Sequence, residues 1–251
     1  MYRYISRESC LQFDSLPLTS LTIFLTSLGL VDSTMVVLHS DHGWHLGEYA
    51  MWEKRTNWEL GTRVPLIIRV PWMKGSVGKR TRALVEAVDI YQTVCEVMGL
   101  ALPKDTVPFD GDSLVPILED PEYDSVKDYA LSTFPRCAHI GMPVYGARGQ
   151  PSGYDNTCLE VERTDFTWMG YTMRTDRWRY TEWVRWNGTG LSPIWSQLKA
   201  AELYDHLGDD APWTNADKYE NVNVITTTKP SVVKALSVKL HTAFGFPDAT
   251  Y

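Results

Sequence analysis

Residues Thr34 to Val70 read TMVVLHSDHGWHLGEYAMWEKRTNWELGTRVPLIIRV, and the two ends of this stretch set the fold class. "TMVVL" (Thr34–Leu38) and "VPLIIRV" (Val64–Val70) are short unbroken apolar runs rich in β-branched residues, which predicts strands buried on both faces in a parallel sheet. Between them the chain collects His39, Asp41, His42, His45 and Lys54. In open α/β sheets the carboxyl edge of the strands is where ligands bind. Asp41 and His42 leave the first strand together at that edge, and Gly43 lets the backbone turn beside them. An adjacent carboxylate and imidazole can coordinate a divalent ion or act as an acid–base pair. They can equally cap the next turn and fill a polar pocket, and spacing alone favours that second reading. Alternation places His39 as a core or interfacial histidine, and Lys54 taken by itself reads as a solvated surface lysine.

Outward from this stretch, the pattern is βα in the first half. An apolar run from Leu16 to Val31 predicts a core helix feeding the first strand. Thr and Ser interrupt it, it is too short to span a bilayer, and no convincing small-residue cleavage site marks it as a signal peptide. "VEAVDIYQTVCEVMGL" spaces Ile90, Tyr91, Val94 and Met98 for one helix face, with Gly99 placed to end the helix. "DYALSTF" (Asp128–Phe134) is a third strand candidate. The expected fold is α/β, a mostly parallel sheet flanked by helices over residues 1–135. A Gly/Pro-rich loop excursion spans 136–165, followed by a small C-terminal subdomain over 166–251.

That subdomain has its own signature. "TWMGYTMRTDRWRYTEWVRW" alternates on both sides of Thr175-Asp176-Arg177, a hairpin with Met169, Tyr171, Met173, Trp178, Tyr180, Val184 and Trp186 inward and one wet face. "AELYDH" adds a short strand, and Val232, Leu236, Leu240 and Phe244 are spaced for one face of a covering helix.

Composition narrows the function. The 251 residues are 44% hydrophobic with a net charge of −7, which excludes a disordered chain and shows no basic stripe for nucleic acid. Four cysteines (Cys10, Cys95, Cys137, Cys158) lack C-x-x-C spacing, so no zinc or redox pair is indicated. Cys95 reads as a buried small hydrophobe. Cys137 and Cys158 flank the loop excursion, and a disulfide and two free thiols remain equally open readings. Asn187, in "NGT", is an N-glycosylation sequon that matters only in a secreted chain.

"SDHGWHLGEYAMWEKRTNWELGTRVPLIIRVP" resembles the sulfatase family of the alkaline-phosphatase-like superfamily, most closely its iduronate-2-sulfatase-like members. "VDIYQTVCEVMGLALP", "FDGDSLVPIL", "GYTMRTDRWRYTEWVRWN" and "AELYDHLGDD" resemble later blocks of that group in the same order, so the likeness runs from about Leu28 to the C-terminus. The resemblance implies that Asp41 and His42 help bind an active-site calcium, for which Asp41 is the better ligand by its oxygen chemistry. It implies that Lys54 contacts the sulfate group, with His42 and Lys54 as the catalytic pair. Trp44 then offers a sugar ring an apolar wall, while a packed core indole stays open. Asn57 and Arg63 are expected to brace the loop.

One departure stands out. The family nucleophile is a formylglycine made from the cysteine of C-x-P-x-R, and none of "CLQFD", "CEVMG", "CAHIG" and "CLEVE" fits. The expectation is therefore the C-terminal half of a sulfatase whose N-terminal half, with formylglycine, is its missing partner, and a chain inactive alone. Implied by the resemblance are a sulfated glycosaminoglycan substrate and a secreted or lysosomal location, with no nucleic acid and no membrane span. The alternatives are a phosphodiesterase or phosphonate hydrolase of the same superfamily, or a non-catalytic remnant that binds metal or glycan.

Overall fold

The protein is described by a computed structural model over residues 18–103, 109–123, 125–137, 158, 161–209 and 218–245. In chain order its elements are α1 (18–27), β1 (Val36–His39), β2 (His45–Leu46), β3 (Trp52–Glu53), α2 (Glu59–Thr62) and β4 (Leu66–Arg69), then α3 (Asp89–Val97), α4 (Val115–Glu119), β5 (Ala130–Arg136), β6 (Trp168–Arg174), β7 (Trp178–Asn187), β8 (Ser192–Asp205) and α5 (Pro230–Ala243). Most of the expected 136–165 excursion lies outside the described residues. Two compact units interleave along the chain: Met1–Ser40 with Pro65–Val126, and Asp41–Val64 with Lys127–Tyr251.

In the first unit, β1 and β4 pair with Val36 opposite Arg69 and His39 opposite Leu66. The pairing is antiparallel, not the parallel arrangement that the alternation suggested. A parallel return needs a crossover, usually a helix of a dozen or more residues. The intervening chain holds only the four-residue α2, so it turns and comes back alongside. Both strands are half-buried rather than buried on two faces, and Ile67 is 45% exposed.

The apolar run near the start is helical at 18–27, but it is not a core helix: Leu25 is buried while Leu21, Ile23, Phe24 and Leu28 are exposed. A run apolar around its whole circumference can bury only the stripe that finds neighbours. Helix α3 also turns differently from its apolar spacing. Tyr91 and Met98 are 50% and 52% exposed, whereas Asp89, Thr93 and Cys95 are buried. Polar bonds set this orientation. Asp89 accepts from the N–H groups of Glu86 (2.6 Å) and Asp112 (2.9 Å), and Thr93 Oγ1 accepts from Leu114 N (2.9 Å). Cys95 is a free buried thiol.

The second unit holds the antiparallel sheet β5-β6-β7-β8. The Asp128–Phe134 candidate strand forms here as β5, pairing with β6. Period-two alternation sends Tyr171 and Met173 of β6, Tyr180 and Val184 of β7, and Leu203 of β8 to one face, where Leu236 and Leu240 of α5 close the core with Trp195. Glu182 shares that face, accepting from Tyr180 Oη (2.7 Å) and pairing with His241 of α5 at 2.9 Å.

The other face is not wet. Thr172, Arg179 and Thr181 are all buried, and the two threonine hydroxyls bond at 2.7 Å. Residues 56–59 cover this face: Asn57 donates to Gly170 O, and the Trp58 indole N–H donates to Glu202. Cys137 and Cys158 form a disulfide with Cα atoms 5.5 Å apart.

Candidate active site

The site is built on residues 41–58 of the second unit, directly after β1 in the chain. Gly43 fixes the first turn through closeness. Its N–H donates to Gly61 O at 2.9 Å, and a Cβ at this position would stand 2.0 Å from the carbonyl oxygen of Leu60. Only glycine permits that approach. The chain then forms the short β2–β3 pair, His45 opposite Glu53, around a turn with Tyr49, Ala50 and Glu53 in the left-handed region (φ 57°, 57° and 71°). Non-glycine residues hold that conformation only where their surroundings over-determine it, and such positions gather at functional loops. Lys54 is the next residue.

The turn brings Lys54 to His42. Their Nζ and Nε2 atoms are 2.5 Å apart, although twelve positions separate them in sequence. His42 Nδ1 faces the carbonyl of Gly43 at 2.8 Å. A carbonyl only accepts, so Nδ1 carries the proton and the Nε2 lone pair receives a hydrogen from the Lys54 ammonium. Asp41 is exposed; its Oδ1 accepts from His42 N at 3.0 Å, and its Oδ2 lies 3.3 Å from Nε2. The result is a carboxylate, a neutral imidazole and an ammonium converging on one half-exposed point. Trp44, 47% exposed, holds its ring centroid 6.1 Å from that of His42.

The other histidines are apart from this chemistry. His45 is fully buried, with Nε2 3.1 Å from Thr56 Oγ1 and its ring edge-on to Tyr49 and Trp58. His39, expected as a core or interfacial histidine, is exposed at the end of β1, with Nδ1 3.1 Å from Ser40 O. Asn187 closes β7, and its side-chain oxygen accepts from the N–H groups of Thr189 and Gly190 at 3.1 and 3.0 Å.

Sequence spacing gave no sign of the group that holds the Lys54 loop. Arg179 is buried between Glu59 and Glu220, donating to both, and its Nη1 donates to the backbone oxygen of Asn57 at 2.7 Å. Glu220 also accepts from the Glu59 N–H (2.7 Å) and sits 3.1 Å from His206 Nε2, whose Nδ1 lies 3.0 Å from Asp209. Arg174 and Arg63 add contacts to Glu59 at 3.2 Å each. Burial pushes the Glu59 carboxyl up, but Arg179 and Arg174 outweigh it and hold the group far below the ordinary carboxylate range.

Among the described residues, two places present metal-ligating groups. Glu59, His206 and Glu220 bring ligand atoms within 4.8 Å of one another, but the Arg179 guanidinium already bridges the two carboxylates and supplies the positive charge that an ion would bring. The exposed Asp41 carboxylate is the better fit for an ion, while the lone pair of His42 Nε2, 3.3 Å away, is taken by Lys54. One carboxylate is a small part of the six to eight oxygen donors that calcium takes. Among the described residues, no helix is long and apolar enough to cross a membrane.

Residues 21–100 match the Sulfatase family profile. The chain is 30% identical to human iduronate 2-sulfatase over 219 residues, an alignment covering 72% of this chain and 38% of that protein. It is 25% identical to mouse arylsulfatase K, covering 96% of this chain and 35% of that one. The chain thus spans well under half the length of the curated relatives it matches. Among solved structures, a phosphonate monoester hydrolase of Agrobacterium radiobacter superposes with a TM-score of 0.63 at 24% identity, over 91% of this chain and 38% of that one. The chain accordingly shares the fold of that neighbour, with a C-terminal antiparallel sheet and helix. Profile, relatives and fold agree, and the chain is similar to the sulfatase family, most fully over residues 21–100.

Proposed function

We propose that the chain supplies the Asp41–His42–Lys54 part of an active site that hydrolyses sulfuric esters of sulfated glycans, specifically glycosaminoglycans of the iduronate-2-sulfate type. The convergence of His42 and Lys54 at 2.5 Å carries this reading. An ammonium has three N–H donors. One is used on His42 Nε2, leaving two to meet sulfate oxygens and the negative charge that grows on the leaving oxygen. The Gly43 carbonyl holds His42 in one tautomer, so the imidazole orients Lys54 without competing for the anion. Trp44 lies beside the pair as an apolar wall for the sugar ring.

A divalent ion, calcium by family, would be held in part by Asp41, with His42 beside it holding Lys54, and it would supply a Lewis acid that polarises a sulfate oxygen. The nucleophile in this reading is formylglycine. None of the four cysteines stands in C-x-P-x-R, so the reading assigns it to sequence other than these 251 residues, the N-terminal half of the same fold. The disulfide and the Asn187 sequon favour a secreted or lysosomal site of action.

Calorimetric titration with inorganic sulfate tests the assignment. Lys54→Ala should weaken binding by roughly tenfold or more, the worth of a charged hydrogen bond. Equal affinity in the two proteins would remove Lys54 from the sulfate site. The chain alone should hydrolyse an aryl sulfate no faster than a heat-killed control.

A further inference from the structure

The polar face of the antiparallel sheet continues past the part that residues 56–59 cover. The carbonyl of Gly170 in β6 accepts from the Asn57 amide. Two residues earlier, period-two alternation returns Trp168 to the same face, about 7 Å along the strand. Arg185 of β7 pairs directly opposite Trp168, and its guanidinium lies 5.5 Å from the centroid of the Trp168 ring. Lys199 arrives from β8 through a break in register. Ala200 faces Trp183 and Leu198 faces Val184, which are consecutive in β7, so Lys199 is the extra residue of a bulge. Bulges re-aim side chains, and the Lys199 ammonium comes to 5.9 Å from the same ring.

Both cations are exposed and Trp168 is half-buried. Among the described residues neither cation forms an ion pair, not even with Glu162 or Asp165 of the preceding turn, and the Trp168 indole N–H meets no acceptor. Guanidinium, ammonium and indole share one property: each donates hydrogen bonds and none accepts. Two like charges gathered at one ring repel, and an anion between them relieves that repulsion. A cationic group is repelled here, and a neutral hydroxyl leaves both charges unmet. The complement is an oxyanion.

We infer that Trp168, Arg185 and Lys199 form an anion subsite beyond the Lys54 contact, taking a second carboxylate or sulfate group of the same polysaccharide. The inference rests on the sulfatase reading for the glycan, and it adds a way to hold a polymer rather than a single sugar ester. Asn57 follows Lys54 by three residues and bonds to Gly170, so both anion contacts belong to one compact unit.

Calorimetric titration of the full chain with a heparan-sulfate tetrasaccharide tests it. Saturable binding is expected in the parent. Arg185→Gln combined with Lys199→Gln should weaken it by roughly tenfold or more, the worth of a charged hydrogen bond. Both side chains are exposed, so the melting temperature should stay near that of the parent. The same charge removed from an exposed loop of the first unit, by Lys79→Gln with Arg80→Gln, should leave the affinity unchanged. The indole N–H signal that Trp168→Phe deletes from the NMR spectrum should shift as the tetrasaccharide is added, in Lys54→Ala as in the parent. A failed sulfate assignment and a failed subsite thus give different results. An unsulfated tetrasaccharide identifies the anion: weakening by the Arg185–Lys199 variant on this probe too assigns a carboxylate, and weakening confined to the sulfated probe assigns a sulfate. Absence of saturable binding in the parent, an unmoved Trp168 signal, or equal weakening by the two double variants would overturn the subsite and leave general charge attraction only.

Discussion

At the scale of single residues, the site depends on close approach more than on charge. Gly43 is the plainest case, since its missing side chain is what allows the 41–43 turn to lie against the carbonyl of Leu60. Gly43→Ala should cost about 1–3 kcal/mol, the usual range for forced overpacking, read as a lower urea midpoint with an unchanged slope. A midpoint equal to that of the parent would show that the Leu60 carbonyl can move aside. His42 is constrained in a different way: a single carbonyl chooses its tautomer, and the tautomer decides which way the Lys54 proton points. The sequence marked Asp41, His42 and Lys54 as candidates because the stretch that resembles the family spans them. Their mutual distance was not, since the turn that closes it runs through Tyr49, Ala50 and Glu53 in conformations that their residue types do not announce.

At the scale of elements, the sheet has two buried faces built from different physics. One is apolar, from Tyr171 to Leu240, and period-two and period-3.6 spacing made it legible in advance. The other buries charge, and a strand read by itself shows Arg179 and Thr181 as an ordinary wet face. Their partners, Glu59 and Glu220, come from distant segments, so local spacing carries no trace of them. The β1–β4 direction was lost for a related reason, because apolar runs look alike in parallel and antiparallel pairs. The charged face gives a pH signature. Glu59 titrates far below the 4.5 of an unfolded glutamate, so its stabilisation is complete above that value and drains away as pH falls beneath it. Glu59→Gln should therefore cost about 3–5 kcal/mol at neutral pH, as for a broken buried ion pair, and clearly less at pH near 3. A cost that does not change between the two would mean that Glu59 acts by packing alone.

At the scale of the whole molecule, function is divided between what these residues hold and what they lack. In the proposed site they hold an ammonium for the sulfate and one carboxylate toward the six to eight oxygen donors that calcium takes. Calorimetry on the isolated chain should thus find calcium binding on the order of millimolar or weaker, in the range of the least demanding protein sites. Asp41→Ala should erase even that. Micromolar affinity, or affinity indifferent to Asp41→Ala, would move the ion elsewhere.

The interleaving of the two units has a consequence for inheritance. Lys54 and Glu59 are encoded in the first quarter of the chain, whereas Arg179, His206 and Glu220 are encoded in its last third, yet all five belong to one compact unit. A single genetic crossover between residues 64 and 168 would separate the loop from the residues that clamp it. Chimeras of two related sulfatases joined there would work only if both parents had kept the same buried charges. Exchange would then preserve the Glu59–Arg179–Glu220 group as one heritable block, even while the exposed positions around it drifted apart.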